Sequence, residues 1–433
     1  MRKNLIFFCL LWKLQMVNGS GWEPLHYGMD AYVQTIYIDS VNSKVYAGGY
    51  FHYADSIRAN NIAAWDGVKW DSVGSGIQHS LYNFAITNYQ GLLYSDGWFT
   101  STQFPNFGGR YSNSVWDTLG FGVNGPIYQI KEINGELFFS GQFSQAGGSS
   151  CLMLAKYDGT NWSCLNFPYE VGGRVEDFLL YNDTLILGGV YDDIQGGVNV
   201  SYFDGINFQI LGHRIYGSIA GIHAMTIYNG DLYVGGYFLS SAGNEGNHIM
   251  RWDGTTWYDV GGGTDNEIFT LNVYNDELYV GGVFEYAGGV HTGNLAKWDG
   301  ANWSQVTPSI ISSVIYDIQF YNDEIYIGGA FRYVDSIPVN FIAKYALHTG
   351  INDLQTNNQL SVYPNPSANK LNIEISAGNI QKITIYDLTG KQIRTISCNT
   401  SKQEIDISTL SPGLYFLDAI CDQLTFRKRF IKN

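Results

Sequence analysis

Apolar positions along this chain fall in short runs separated by glycine, asparagine and aspartate. In one stretch, "IFTLNV" is followed by "YNDE", "LYVGGVF", a longer polar loop, "NLAKW", an Asp-Gly pair and "NWSQV". Such runs predict short β-strands joined by tight turns, because Asn-Asp and Asp-Gly tolerate the positive φ that hairpin turns need. No long stretch combines helical apolar spacing with helix caps. The pattern therefore predicts an all-β protein.

The same four-strand pattern, with strands a to d in chain order, recurs along the sequence. Aligned on the second glycine of Gly-Gly-x-Phe, it has anchors at Gly49, Gly97, Gly141, Gly189, Gly236, Gly282 and Gly329. A period of about 47 residues holding four strands is typical of one β-propeller blade. A glycine pair in strand b would let the neighbouring blade approach closely, and the strand-d tryptophan would fill the outer wedge. We predict a seven-bladed β-propeller over residues 20–346.

Two units depart from the pattern. The second unit has lost the Asp-Gly turn, which leaves the existence of its strand c open. The seventh unit has strands a, b and c but no strand d. Its missing strand matches the other end of the chain, where "WEPLHYG" (22–28) aligns with "WDSVGSG" (70–76). We therefore predict that the N-terminal strand closes the ring, with Pro24 tolerated at a sheet edge.

Composition and charge add information on location and partners. Residues 1–19 combine Arg2 and Lys3 with a short apolar core and end near Gly19, as an export signal with its cleavage site does. That core is too short to span a bilayer, and no other apolar run approaches 18 residues, so we predict no transmembrane segment in the mature protein. The formal net charge of −15 disfavours nucleic acid and anionic membranes as partners.

The composition shifts again after residue 346. Residues 347–359 are polar and unpatterned, which indicates a linker, and residues 360–433 contain strand-like runs that indicate a small β-sandwich. This segment carries the motifs "YPNP", "IYDLTGK", "LSPGLYFL" and "RKRFIK". The motif positions of interest are Pro364, Asn365, Pro366, Asp387, Gly390, Gly413, Tyr415, Lys428 and Lys432.

Residues 360–433 resemble the type A C-terminal sorting domain of the type IX secretion system of Bacteroidota. The resemblance implies periplasmic export and passage through the outer membrane by the type IX machinery. It also implies removal of the domain, with release of the protein or attachment to surface lipopolysaccharide, and it marks the nine motif positions as the sorting signal. The usual glycine before the final strand is replaced here by Asp422-Gln423. The alternative is a generic immunoglobulin-like module.

The repeat units resemble Kelch-like propellers, and more closely a fungal cortical-marker propeller family with "lyvGGxF…W" units. This resemblance implies the fold but no activity, because propellers support unrelated functions.

Candidate chemistry is sparse. The eight histidines show no metal-ligand spacing, and no nucleophile, phosphate or dinucleotide motif is present, so we predict no catalytic residue, cofactor or metal. "YDGTNW" is similar to the Asp-box of sialidases, but a plain hairpin turn is the preferred interpretation. Asp265 and Glu267 are the best calcium candidates, with solvated turn residues favoured. Cys151 and Cys164 flank a predicted hairpin out of register, a Cys398–Cys421 disulfide is open, and free thiols are favoured.

The longer, more varied b–c and d–a loops form the candidate ligand face. Aromatic and histidine side chains there suit sugars and protein hot spots. The candidates are His52, Tyr53, Trp98, Phe104, Tyr286 and His291. We predict a secreted or surface-displayed, non-catalytic propeller that binds a glycan or a protein. The alternatives are a secreted polysaccharide-active enzyme, which needs ionisable side chains converging on the axis, and a structural surface-layer or gliding-adhesin part.

Overall fold

A computed structural model describes most of the chain, and the residues it describes are all-β apart from one 3-10 turn at Ser240–Ala242. They fall into two compact units, one within 20–347 and one within 348–433. The described ranges are 21–77, 84–96, 107–165, 173–191, 200–216, 221–308, 311–347, 360–364, 367–375, 378–387, 391–421 and 424–432.

The first unit is built from seven antiparallel sheets, in which strands a to d lie side by side from one edge to the other, in chain order except that strand d of the seventh sheet comes from the start of the unit. The strands, by sheet, are Val33–Asp39, Lys44–Gly49, Ile62–Trp65 and Trp70–Ser72; Ala85–Tyr89, Leu92–Asp96, Phe107–Ser112 and Val115–Val123; Ile127–Ile133, Glu136–Gly141, Leu154–Tyr157 and Trp162–Cys164; Arg174–Tyr181, Thr184–Val190, Ser201–Phe203 and Phe208–Ile210; Gly221–Tyr228, Asp231–Tyr237, Ile249–Trp252 and Trp257–Asp259; Ile268–Tyr274, Glu277–Gly282, Leu295–Trp298 and Trp303–Gln305; Ile315–Tyr321, Glu324–Gly329, Ile342–Ala346 and Trp22–Pro24.

Short hairpins decorate the b–c loops. They are formed by Tyr53–Ala54 with Ile57–Arg58, Gln145–Ala146 with Ser149–Ser150, Tyr286–Ala287 with Val290–His291, and Tyr333–Val334 with Ile337–Pro338. The second of these hairpins pairs with strand d of the second sheet, which is thereby extended to six strands.

Turn chemistry follows the sequence. In the a–b turn of the sixth sheet, Asn275 and Asp276 both have positive φ, 48° and 59°, which is the type I′ geometry. In the c–d turn, Asp299 Oδ1 accepts hydrogen bonds from the backbone N–H groups of Ala301 and Asn302 at 2.8 and 2.7 Å. The second repeat unit, whose strand c was in doubt from the sequence, has that strand at Phe107–Ser112. Positive φ at 113 and 114 makes an Asn-Ser turn that replaces Asp-Gly.

The strand that begins at Trp22 lies at the d edge of the seventh sheet. It is antiparallel to Ile342–Ala346, with Trp22 opposite Tyr345 and Pro24 opposite Ala343. The Trp22 indole is buried and donates to Thr307 Oγ1 at 3.1 Å. The two ends of this unit are therefore joined within one sheet.

The a strands pack side by side in chain order, and strand a of the seventh sheet packs against strand a of the first. The first glycine of each pair makes this possible. A Cβ on Gly235 would stand 2.8 Å from Ile268 Cγ2 of the next sheet, and one on Gly328 would stand 2.6 Å from Val33 Cγ1 of the first. The expectation that glycine permits close approach of neighbouring sheets is thus met at these positions.

The second glycine of each pair has a different role. It faces a β-bulge in strand a of its own sheet, where the register shifts by one residue, as between Ile222 and Ala224. A Cβ on Gly236 would lie 1.9 Å from the carbonyl oxygen of Gly221. A bulge leaves one residue of strand a unpaired with strand b and changes the direction of its side chain. The Gly-Gly pair therefore determines which residue of strand a is unpaired.

Tryptophans of strand d fasten neighbouring sheets at the periphery. Each indole N–H donates to an acceptor in an adjacent sheet, at 2.8 to 3.1 Å. The pairs are Trp70 with Leu25 O, Trp116 with Val73 O, Trp162 with Leu119 O, Trp257 with Leu211 O, Trp303 with Val260 O, and Trp22 with Thr307 Oγ1. The fourth sheet has Phe208 in this position.

One disulfide corrects the sequence-based interpretation. Cys151 and Cys164 are bonded, with a Cα–Cα distance of 5.4 Å. The hairpin ladder pairs Cys164 with Ala155, as the register argument required. However, Cys151 precedes strand c, and the positive φ of 58° at Met153 turns the chain there, so ladder register does not decide this pair. Cys398 is a free thiol whose pKa is raised by burial.

The second unit is two sheets around one core. Leu360–Tyr363, Lys370–Ile375 and Lys402–Asp406 form one sheet, and Gln392–Thr400, Ile380–Tyr386, Gly413–Cys421 and Leu424–Lys432 form the other. Leu371 from the first sheet and Ile383 and Leu417 from the second are fully buried in the shared cluster. This is a β-sandwich.

Candidate functional site

Seven side chains, one from each sheet, line a cavity of about 660 Å³ enclosed by the a strands. Six of them are the bulge residues of their strands, and Phe84 has the equivalent register in the second sheet. We call these seven the channel ring: Gln34, Phe84, Tyr128, Glu176, His223, Phe269 and Tyr316. Since they lie near the start of strand a, the ring is at the end of the channel where the d–a and b–c loops gather.

Much of the channel ring is aromatic. Phe84 and Tyr128 have ring centroids 5.1 Å apart, and Phe269 and Tyr316 are an edge-on pair at 5.3 Å. All four rings are partly buried, with a remaining surface toward the cavity. His223 stacks on Phe269 with 5.3 Å between centroids. The channel end therefore offers apolar ring faces next to polar groups.

An ionic chain completes the ring on one side. Arg174 Nε donates to Glu176 Oε1 at 2.5 Å, the other oxygen of Glu176 pairs with His223 Nδ1, and His223 Nε2 lies 2.7 Å from Glu267 Oε1. The Arg174 guanidinium also lies 5.8 Å from the Tyr128 ring centroid. Positive and negative groups thus alternate along the chain.

These contacts shift the protonation of His223 and Glu176. Burial favours the neutral imidazole, yet the flanking carboxylates, Glu176 first and then Glu267, raise the pKa of His223 to about 9. Burial likewise opposes the charge of Glu176, but His223 and Arg174 lower the pKa of that carboxyl below its ordinary value. At neutral pH two cations therefore alternate with two carboxylates along this chain of ion pairs.

Two carboxylates that follow bulges bridge neighbouring sheets. Asp317 Oδ2 accepts the backbone N–H of Ile36 at 2.6 Å, joining the seventh sheet to the first. Asp177 Oδ2 accepts that of Met225 at 2.7 Å, and Lys131 Nζ lies 2.5 Å from its other oxygen. Asp317 has no cation beside it in the described structure, and burial raises its pKa to about 7 against its hydrogen bonds.

None of the described loop residues predicted as the ligand face lines this cavity. Tyr53 and Tyr286 are exposed on b–c hairpins of the first and sixth sheets. His291 is paired with Glu285 at 3.4 Å and lines a separate cavity of about 450 Å³. His52 is exposed and stands just before the first hairpin. The predicted candidates Trp98 and Phe104 lie outside the described residues.

The carboxylates considered for calcium have other partners. Asp265 Oδ1 accepts the backbone N–H groups of Glu285 and Tyr286, which holds the b–c hairpin, and Glu267 binds His223. Asp30 holds the first hairpin in the same way. Among the described residues no group of three or more His, Cys, Asp or Glu side chains is arranged to hold a metal ion.

Sequence motifs did not reveal the channel ring, because its seven members differ in residue type and stand far apart in the chain. A positional signal exists nevertheless. Each ring residue from Phe84 onward stands thirteen residues before the anchor glycine of its unit, and Gln34 stands fifteen before Gly49. The first a–b turn, which contains two more residues, explains the difference.

The predicted sorting residues of the second unit are largely in structural positions. Tyr415 stacks on Phe430 at 5.5 Å and donates to Ser411 O, and the Asp387 carboxylate accepts Lys391 N–H in a turn. Gly413 lies opposite Lys432, which is buried, and Lys428 is exposed on the same strand. Pro364 is exposed at the end of the first strand. Asn365, Pro366 and Gly390 lie outside the described residues.

The C-terminal unit matches a known family of sorting domains. Residues 361–433 match the family described as secretion system C-terminal sorting domain. The match supports a type IX sorting tag at this end of the chain, which implies export to the medium or the outer-membrane surface. No helix among the described residues is long and apolar enough to cross a membrane.

Two solved structures resemble the chain over most of its length. Extracellular domains of a putative hybrid two-component system and a putative one-component system from B. thetaiotaomicron are each 12% identical, with TM-scores of 0.54 and 0.53. They cover 88% and 94% of this chain, which spans about half of theirs, 47% and 52%. The β-propeller domain of the Trilobed protease from Pyrococcus furiosus is 9% identical, covering 75% of this chain and 99% of its own, with a TM-score of 0.47. No curated protein matches the sequence.

Proposed function

We propose that this protein is a secreted or cell-surface, non-catalytic propeller that binds a glycan or a protein at the channel ring. The observation that carries the proposal is the convergence of seven side chains, one from each sheet, on a single cavity of about 660 Å³. That volume falls within the range of ligand sites, about 300–1,000 Å³, and apolar faces beside a few fixed polar groups are their usual lining.

The proposal includes the finer architecture. The seven sheets are the blades of a Kelch-like propeller, and the strand at Trp22–Pro24 closes it. The side-by-side packing of the a strands and the pairing of Trp22 with Tyr345 support a closed ring. Closure matters for binding, because it fixes the channel-ring side chains relative to one another before a ligand arrives.

Binding is favoured over catalysis by the state of the ionic chain. Glu176 and Glu267 are both engaged by His223, whose pKa of about 9 keeps it protonated at neutral pH. A general acid or base works best with a pKa near the working pH. This chain of ion pairs therefore holds its charges in place and is poorly matched to proton transfer.

One observation favours the alternative, a secreted polysaccharide-active enzyme. The Asp317 carboxyl faces the same cavity with a pKa of about 7, in the range of a proton-transfer group. A reducing-end assay on a polysaccharide panel separates the two functions. Turnover by the full chain that is lost in Asp317→Asn would establish the enzyme, and no turnover is expected.

Export completes the proposed function. The chain is of Bacteroidota origin, its leader is cleaved near Gly19, and residues 347–359 link the propeller to the sorting domain that the type IX machinery reads and removes. The family match of residues 361–433 supports this course. The mature propeller is then released or attached at the outer-membrane surface.

Glycan and protein arrays probed with the full chain test the binding site. We expect every specific signal to fall at least tenfold in Phe269→Ala, which removes one face of the channel ring. Phe121→Ala is the matched control, because Phe121 is 73% exposed on strand d of the second sheet, away from the cavity. Specific binding that both variants retain in full would place the site elsewhere.

A further inference from the structure

The charges around the cavity balance one another apart from Asp317, a buried carboxyl whose raised pKa of about 7 keeps it largely uncharged below neutral pH. The cations Arg174, His223 and Lys131 are matched by Glu176, Glu267 and Asp177, each within an ion pair. A charged ligand would have to break these pairs or enter without a counter-charge, which is costly in a partly desolvated site. The lining therefore selects for a ligand without formal charge.

One polar atom in the channel ring has no partner among the described residues. The Gln34 side-chain oxygen, Oε1, is buried and accepts no hydrogen bond. A buried polar atom without a partner is rare in folded proteins and costs about 1–3 kcal/mol. If the amide were flipped, the same place would hold an unpaired N–H donor. The atom is also closed to solvent, so the Gln34 amide must turn toward the cavity to meet a ligand. A hydroxyl group then satisfies either case, because it both donates and accepts.

The aromatic rings complete the description of the ligand. A pyranose ring has apolar C–H faces and a rim of hydroxyl groups. The Phe84–Tyr128 and Phe269–Tyr316 pairs present apolar surfaces on two parts of the channel ring, with Gln34 between them in ring order. Flat apolar surface next to hydroxyl-binding groups is what such a sugar needs.

We propose that the channel ring holds one uncharged pyranose residue of a glycan, packed against the ring surfaces that Phe269 and Tyr316 leave open and hydrogen-bonded through a hydroxyl to Gln34. Because seven strands surround the cavity, the sugar enters along the axis, so it is a chain end or a branch and not an internal residue of a linear polymer. This inference rests on the proposed function and specifies its ligand.

Titration calorimetry of the full chain with defined oligosaccharides tests the inference. The probes are neutral hexasaccharides of glucose, mannose, galactose and xylose, and the trisaccharide of galacturonic acid. We expect at least one neutral probe to bind, at least tenfold more weakly to Phe269→Ala and to Gln34→Ala, and equally to Phe121→Ala. Raising NaCl from 0.05 to 0.5 M should change the affinity less than twofold, because no ion pair forms. Capping the terminal residue of the bound probe with a bulky group should abolish binding.

Failures of the two proposals are distinguishable. Binding of the galacturonate probe alone, salt-sensitive and weakened by Phe269→Ala, would overturn the neutral-sugar assignment and keep the channel ring as the site. Absence of binding to every oligosaccharide would also overturn the assignment. Neutral-sugar binding that Phe269→Ala and Gln34→Ala leave unchanged would overturn both the assignment and the channel ring.

Discussion

The substitution Asp317→Asn should make the first unit more stable, although it removes a residue that bridges two sheets. Asp317 accepts the Ile36 N–H, has no described cation beside it, and has a pKa of about 7 because of burial. In the unfolded chain that pKa is about 4. The folded state therefore takes up a proton more readily, and its stability falls as pH rises from about 4 to 7.

The magnitude follows from the pKa difference. Three pKa units correspond to about 4 kcal/mol, which is the cost of keeping the ionised carboxylate in place at pH 8, and about 1.5 kcal/mol of that cost remains at pH 5. Asparagine retains an oxygen for the Ile36 N–H and has no charge. We expect Asp317→Asn to gain about 2.5 kcal/mol more at pH 8 than at pH 5.

Urea unfolding followed by tryptophan fluorescence measures this difference in the full chain. Every tryptophan precedes residue 304, so the signal reports on the first unit and not on the sorting domain. Asp177→Asn is the matched control, because Asp177 makes the equivalent bridge but is paired with Lys131. That variant should lose about 1–2 kcal/mol at both pH values, since Lys131 is left without its counter-charge. An Asp317→Asn gain that is equal at pH 5 and pH 8, or absent at pH 8, would refute the reasoning.

Four further changes have defined outcomes. His223→Gln should cost about 3 kcal/mol at pH 6 by urea unfolding and progressively less toward pH 9, because the raised pKa supplies stability below pH 6.5 that is lost as the imidazolium deprotonates; a pH-independent loss would contradict this. Gly236→Ala should cost more than about 3 kcal/mol, because the new Cβ meets a carbonyl oxygen, whereas Gly91→Ala, with open space around it, should cost about 1 kcal/mol. Cys164→Ser should lower stability by about 3 kcal/mol under oxidising conditions and not at all under reducing ones. Deleting residues 361–433 should retain the protein in the periplasm by cell fractionation; equal amounts in the medium would argue against the sorting role.

Much of the sheet architecture was predictable because it depends on local chemistry that recurs. Asn-Asp and Asp-Gly turns appear where positive φ is needed, and the strand-d tryptophan is buried or partly buried wherever it occurs. Even the strand that completes the seventh sheet was recognisable, since Trp22 has the same sequence context as Trp70. Strand c of the second repeat unit was in doubt because its c–d turn, Asn113-Ser114, contains no glycine.

The candidate site was not predictable from motifs, for a geometric reason. Glu176, His223 and Glu267 are 47 and 44 residues apart, and only the packing of a strands brings them together. Bulges in strand a supply Glu176 and His223, and no residue type marks a bulge position in the sequence. The Cys151–Cys164 disulfide was not predicted for a similar reason, because the position of Cys151 depends on a turn outside the hairpin ladder.

The phenylalanine at position 208 makes the contacts between neighbouring sheets unequal. At six contacts an indole N–H joins one sheet to its neighbour, but a phenyl group has no hydrogen to donate. Between the third and fourth sheets the inner strands are held by Lys131 and Asp177, while the outer edge lacks the indole hydrogen bond. Thermal motion should therefore open the outer edge of that contact first, and a protease would cut there before it reached the inner strands.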